Sequence, residues 1–89
     1  MKKFKIIMDQ LIEENPEALL ADGFESALMG IARRTGQPSL AVYDTNKCVK
    51  ILVKKNNMTY EEAIEFFDFN VAGAWMGENT PVFLDIFQY

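Results

Sequence analysis

The sequence predicts one α+β domain over residues 1–89, in which a small antiparallel sheet of about three strands packs against two or three helices. A chain of 89 residues is too short for two independent cores, which need roughly 100 residues or more between them. Its 49% hydrophobic and 12% aromatic residues suffice for one core. Helix-like apolar spacings alternate with short apolar runs between turn residues, which indicates a mixed fold.

A first helix is predicted from Lys3 to Glu14. Its apolar residues recur with the spacing of an amphipathic helix; they are Phe4, Ile7, Met8, Leu11 and Ile12. Asn15-Pro16 follows, and because proline disfavours a helical conformation in the preceding residue, the helix is expected to end there.

Three strands are predicted next. Residues 17–21 are interpreted as a short strand, closed by Asp22-Gly23, a dipeptide suited to a two-residue hairpin turn. A second strand would start at Phe24. Residues 25–34 are ambiguous, because their composition favours a helix while their position between two turn signals favours a strand, and we predict a strand. Residues 40–43 form a brief apolar run that fits a third, buried strand.

The second helix is predicted over residues 45–55. Asp44 precedes it and can accept hydrogen bonds from its first backbone N–H groups. Asn56-Asn57 is expected to end it.

The third helix carries the clearest local signal. Thr59 and Glu62 have the spacing of a capping box, and Gly77 stands where a left-handed residue could end the helix. Between them runs a broad apolar stripe; it includes Ala63, Phe67, Val71, Ala74 and Trp75. Residues 82–87 then fit a final strand or a covering segment.

Charge is distributed unevenly along the chain. The protein has 13 acidic and 9 basic residues and a formal net charge of −4, and all the basic residues precede residue 58. The acidic residues after that point are Glu61, Glu62, Glu65, Asp68, Glu78 and Asp85. Direct binding of nucleic acid is disfavoured, since a polyanion requires a basic face. A partner with a basic surface fits better.

The residue types present argue against an enzyme. The chain lacks histidine, which removes histidine-based acid, base and nucleophile chemistry and histidine-ligated zinc. The single cysteine, Cys48, is interpreted as a small buried apolar side chain and fits a reducing cytoplasm. No apolar run approaches the ~18 residues of a membrane span. We expect no cofactor, no metal and no membrane association.

Three carboxylates share one face of the third helix. Glu61, Glu65 and Asp68 follow a helical i, i+4, i+7 spacing, and could contact a basic groove of another protein or hold a hard divalent cation. Alternatively, they form a solvated face that pairs with lysines of the second helix. These lysines have a matching spacing and are Lys47, Lys50 and Lys54.

Two further groups are candidate binding residues. Trp75 would give a partner a large rigid contact, with Glu78 and Asn79 as its polar rim; alternatively, Trp75 fills the core. Arg33 and Arg34 could hold an anionic ligand, although they lack a phosphate-loop pattern.

Several motifs together resemble a known group of sequences. The stretches are Tyr43-Asp44-Thr45-Asn46-Lys47-Cys48, Met58-Thr59-Tyr60-Glu61-Glu62-Ala63, Phe67-Asp68-Phe69-Asn70 and Gly73-Ala74-Trp75-Met76-Gly77-Glu78-Asn79-Thr80-Pro81. They resemble a family of small uncharacterised proteins encoded by tailed bacteriophages, and the likeness runs from about Asp22 to Pro81. The resemblance implies a phage product in the cytoplasm of a bacterial host, where it would bind host or phage proteins.

Three function classes follow. The favoured one is a non-enzymatic interaction protein whose acidic surface binds and inhibits or redirects a host factor, such as an anti-phage defence or nucleic-acid-processing protein. The second is an oligomeric module that sequesters a nucleotide or another small ligand, with Trp75 stacking on it and Arg33 or Arg34 holding phosphate. The third is a structural or replication-associated phage subunit whose apolar tail, residues 82–89, adds to the sheet of a partner or of a second copy.

Overall fold

The computed structural model of the protein describes residues 2–87 and confirms the α+β fold class. Three α-helices surround a three-stranded sheet. The elements in chain order are α1 (Lys2–Glu14), a 3-10 turn (Glu25–Ala27), β1 (Leu28–Ala32), β2 (Leu40–Asp44), α2 (Thr45–Asn56), α3 (Tyr60–Phe67), a π-helical segment (Asp68–Ala72) and β3 (Val82–Leu84). None of the helices within residues 2–87 is long and apolar enough to cross a membrane.

The sheet is mixed, with strand order β1-β2-β3. β1 runs antiparallel to β2, whereas β3 runs parallel to β2 and places Phe83 opposite Tyr43. The predicted purely antiparallel arrangement is therefore wrong. The chain leaves β2 through α2 and α3 before it returns in β3, and a helical crossover of this kind joins parallel strands.

Residues 17–21 do not form the predicted first strand. The backbone N–H of Ala21 donates to the Tyr43 hydroxyl at 2.9 Å, and that of Leu19 donates to the Asn79 carbonyl at 3.1 Å. These bonds go to a side chain and a loop, so this segment has no strand partner. The turn at Asp22-Gly23 leads into the 3-10 turn and not into a hairpin, so within residues 25–34 the predicted strand is confirmed only at Leu28–Ala32.

The core lies between the sheet, α1 and the pair of helices α2 and α3. Eleven buried apolar side chains form it; they are Leu11, Phe24, Ala27, Leu28, Ala41, Tyr43, Cys48, Val49, Leu52, Ala63 and Phe67. Phe83 of β3 packs against this cluster. Its ring stacks on that of Tyr43 at a centroid distance of 5.7 Å and meets the ring of Phe67 edge-on at 5.2 Å. Phe83 thus joins the short third strand to both the sheet and α3.

The predicted helix boundaries around residues 44–62 are confirmed. The Asp44 carboxylate accepts from the N–H of Lys47 at 3.2 Å, and α2 ends at Asn57 in the left-handed region, with φ of 54°. Thr59 and Glu62 form a capping box: the N–H of Glu62 donates to the Thr59 hydroxyl at 3.1 Å, and the N–H of Thr59 donates to the Glu62 carboxylate at 2.9 Å. This cap fixes where α3 begins.

The third helix ends earlier than the position of Gly77 predicts. After Phe67 the helix widens into the π-helical segment, and the helical conformation ends at Ala72. A Cβ atom at Gly73 would lie 2.6 Å from the Asp68 carbonyl oxygen, so glycine alone fits this close approach. Because the helical conformation ends before Ala74 and Trp75, the apolar stripe does not extend to these two residues, and they lie exposed.

Candidate functional site

The three carboxylates of α3 and the π-helical segment form an exposed acidic row, which we define as Glu61, Glu65 and Asp68. All three residues are exposed. Ala63 and Phe67 are the buried residues of α3, and because the carboxylates lie off this apolar face, the acidic row faces solvent. Glu62 also carries negative charge here, but its carboxylate is engaged in the cap.

The lysines of α2 form no ion pair with the acidic row in the part of the chain that the structure describes. Lys47, Lys50 and Lys54 are exposed, and α2 packs against α3. Within the described part of the chain, however, the ion pairs are Lys5 with Asp9 at 3.0 Å and Arg33 with Glu14. Within residues 2–87, the row therefore forms no ion pair with these lysines, and its carboxylates lie on a solvated face.

Exposed apolar side chains concentrate in the C-terminal part of the chain, which also contains the acidic row. Of the twelve exposed large hydrophobic residues that the structure describes, nine lie at or after residue 60; they are Tyr60, Phe66, Phe69, Trp75, Met76, Val82, Leu84, Ile86 and Phe87. Phe69 is 76% exposed and lines a shallow groove with Glu65. This juxtaposition places an aromatic contact directly beside the acidic row.

A cleft opens on the other side of α3, between that helix, the start of α2 and the chain after β3. We call it the aromatic cleft. Its lining consists of Thr45, Asn46, Val49, Tyr60, Ile64, Phe67, Asp68, Ala72, Phe83, Asp85, Ile86 and Phe87. Asp68 belongs to both the cleft and the acidic row, so the two features are continuous. The Thr45 hydroxyl oxygen is shielded from solvent and has no hydrogen bond partner among residues 2–87.

Trp75 is a surface residue. Its 74% exposure contradicts the alternative in which it fills the core. The helical conformation ends at Ala72, and Trp75 lies in the chain that follows. Glu78 is exposed as well, whereas Asn79 is half-buried. The Asn79 side-chain oxygen accepts from the Asn15 amide at 2.9 Å, so Asn79 ties its loop to the end of α1.

Arg33 and Arg34 face different surroundings. The Arg33 guanidinium donates to both carboxylate oxygens of Glu14, with 2.8 Å between Nε and Oε1. The Ser39 hydroxyl donates to the same Oε1 atom at 2.8 Å. Arg34 is exposed, and the shallow cleft that contains both arginines also contains Glu78 but not Trp75. The stacking and phosphate-holding groups of the nucleotide hypothesis are thus not assembled in one pocket.

The hydrogen bond from Arg33 is the largest cause that lowers the pKa of Glu14 to about 2 from its ordinary value of 4.5. A carboxyl group with a depressed pKa stabilises the folded state above its ordinary value and loses that contribution as the pH falls through the folded value. Wild-type protein is therefore expected to be more stable than Glu14→Gln above about pH 5, with the difference vanishing between pH 4.5 and 2. Urea denaturation of both proteins across this interval measures it.

Arg33→Gln removes the other partner of the same ion pair. Its free energy of unfolding is therefore expected to change less than that of wild type between pH 4.5 and 2. A stability difference between wild type and Glu14→Gln that stays constant from pH 6 to pH 2 would show that the pair makes no such contribution.

Cys48 is buried in the core, as predicted. Burial raises the pKa of its thiol to about 12, which leaves the thiol protonated at neutral pH and poorly nucleophilic. Within residues 2–87, no group of three or more Cys, Asp or Glu side chains is placed to hold a metal ion, so the geometry does not favour the divalent-cation alternative for the acidic row.

Sequence reasoning missed the aromatic side of the site. Phe69, Asp85 and Phe87 were not among the candidate binding residues, although Phe69 directly follows the acidic row in the sequence. The signal that could have identified Phe69 is an aromatic residue outside the apolar stripe of the predicted amphipathic helix. Asp85 and Phe87 carry no such local signal, because the fold of β3 brings them to the cleft.

Comparison of the chain with protein-family models, with curated proteins and with solved structures found no match. The resemblance to small phage proteins therefore stays a prediction.

Proposed function

We propose that the protein is a non-enzymatic binding module whose C-terminal half docks onto a basic surface of another protein. The observation that carries this proposal is the acidic row, which is exposed, forms no ion pair with residues 2–87 and is flanked by exposed aromatic side chains. Aromatic side chains exposed beside a charged row are typical of a protein-interaction surface.

Charge and aromatic contact contribute in different ways. Three like charges in a row create a local field that attracts a basic surface and speeds the encounter. Exposed aromatic residues such as Phe69 and Trp75 are the kind of side chain that dominates the binding energy at protein interfaces. An interface that combines the two gains both partner choice and affinity.

The proposed partner is a host or phage protein, following the resemblance to phage sequences. Proteins that process nucleic acid, including defence factors, carry basic surfaces that neutralise phosphate groups. A carboxylate row with aromatic flanks can occupy such a surface and thereby inhibit or redirect the partner. The bacterial cytoplasm is the compartment in which this would occur.

Paired charge-reversal variants test the proposal. The acidic variant carries Glu61→Lys, Glu65→Lys and Asp68→Lys and leaves Glu62 to complete the cap. The control variant reverses the same number of exposed acidic residues at the opposite end of the chain; its substitutions are Glu13→Lys, Glu17→Lys and Asp22→Lys. Each protein is immobilised, and the amount of each bacterial protein retained is quantified.

We expect the acidic variant to retain the specific partner at least about tenfold less than wild type, equivalent to a loss of about 1.4 kcal/mol. The control variant, which has the same net charge, is expected to retain it nearly as well as wild type. Circular dichroism confirms that both variants are folded. Equal losses in both variants would mean that net charge alone acts, and would contradict a docking role for the acidic row.

A further inference from the structure

We propose that the aromatic cleft receives an arginine side chain of the partner. This inference rests on the proposed function, because it assigns one part of the same interface: Asp68 lies in both the acidic row and the cleft lining. It goes further in naming the side chain that the partner must present and the residues that contact it.

The composition of the cleft wall fits this occupant. Two exposed aromatic rings, those of Tyr60 and Phe87, contribute to the lining, which also includes Phe67 and Phe83, whose rings pack in the core. The charged residues of the lining are Asp68 and Asp85, both negative and both exposed. Aromatic faces attract cations, and carboxylates bind them directly, so the charge pattern of the cleft is complementary to a positively charged side chain.

Arginine fits the lining better than lysine. Its planar guanidinium stacks on aromatic rings, binds carboxylates through two parallel hydrogen bonds and gives up its hydration more readily than an ammonium group. Its aliphatic stem requires an apolar wall, which Ile64 and Ile86 supply. The cleft volume of about 460 Å³ is sufficient for a side chain, at the smaller end of the range for ligand pockets.

One feature opposes a cation. The N-terminus of α2 begins at Thr45 in the cleft lining, and a helix N-terminus carries roughly half a positive charge. The Asp44 carboxylate already caps this end by accepting from the N–H of Lys47, which offsets that partial charge. The two full negative charges of Asp68 and Asp85 therefore decide the sign of the cleft.

The test uses the complete chain and small probes. Uniformly ¹⁵N-labelled protein is titrated with N-acetyl-arginine methylamide, with its citrulline analogue and with its lysine analogue, and amide chemical shifts are followed. Citrulline has the same shape and length as arginine but no charge. We expect saturable shifts for the arginine probe at Asn46, Asp68 and Asp85, and at least about tenfold weaker binding of the citrulline probe.

Two variants locate the binding. Asp85→Asn changes one cleft carboxylate and is expected to weaken binding of the arginine probe at least about fivefold. Glu13→Gln removes an exposed charge of the same sign from α1, outside both the acidic row and the cleft lining, and is expected to change it by less than about twofold. Equal binding of arginine and citrulline, equal binding of arginine and lysine, or shifts outside the cleft would each overturn the inference.

Failure of this inference is distinguishable from failure of the proposed function. If the arginine probe leaves the cleft unchanged while the acidic charge-reversal variant still loses its partner, the arginine assignment is wrong and docking through the acidic row stands. If the acidic and control variants retain every protein equally, the proposed function itself fails, whatever the probe does.

Discussion

Replacing Phe83 by alanine is expected to lower the free energy of unfolding by about 3 kcal/mol, the lower end of the range for phenylalanine truncations in protein cores. Phe83 is half-buried, and its ring contacts those of Tyr43 and Phe67 at centroid distances of 5.7 and 5.2 Å. β3 is only three residues long, so these ring contacts contribute much of what holds it to β2. Urea denaturation followed by circular dichroism measures the loss.

Phe87→Ala is the matched control for this prediction. The substitution is the same, but Phe87 is 78% exposed, and truncation at an exposed position usually changes stability by less than about 0.5 kcal/mol. Because both Phe83 and Phe87 line the aromatic cleft, both variants are expected to weaken binding of the arginine probe. Equal stability losses in the two variants would contradict the role given to Phe83.

Leu11→Ala is expected to destabilise the protein by a similar amount, about 3 kcal/mol, within the range for buried leucine truncations. Leu11 is 0% exposed and is the one buried residue of α1, which packs against β1. Its removal leaves a cavity between the helix and the rest of the core. A loss of this size is a large fraction of the roughly 5–15 kcal/mol that stabilises a typical domain.

The neighbouring Ile12 provides the comparison on the same helix. Its side chain is 47% exposed, and Ile12→Ala is expected to cost less than about 1 kcal/mol. The two variants are compared by their urea midpoints at constant slope. If Ile12→Ala costs as much as Leu11→Ala, α1 does not attach to the core through the face that the structure shows.

The features that could be predicted from the sequence are local ones. Asp44 and the capping box of Thr59 with Glu62 satisfy backbone groups within three residues of themselves. Asn57 adopts the left-handed conformation directly after α2, and all of these features were predicted. The pairing of β3 with β2 joins residues about forty positions apart. No local pattern encodes such a pairing, so the sequence predicts residues 82–87 only as a final strand or a covering segment, and the structure confirms a strand at Val82–Leu84. Residues 17–21, which border a turn, were wrongly assigned to the sheet.

The same distinction holds for the candidate site. Exposure of Glu61, Glu65 and Asp68 follows from the period of an amphipathic helix, which the sequence displays. The surface position of Trp75 follows from the end of the helical conformation at Ala72, whereas the position of Gly77 predicted a longer helix. Arg33 and Glu14 are nineteen positions apart in the sequence. Their ion pair could not be predicted locally, because the packing of α1 beside β1 brings the two side chains together.

Hydrogen exchange of the protein with and without its purified partner is the most direct test of docking through the C-terminal half. The account predicts slower exchange in peptides that cover residues 60–72 and 82–87, where the acidic row and the aromatic cleft lie. Peptides from α1 and β1 are expected to exchange at the same rate in both samples. Protection confined to α1 or β1, with residues 60–72 unchanged, would contradict it.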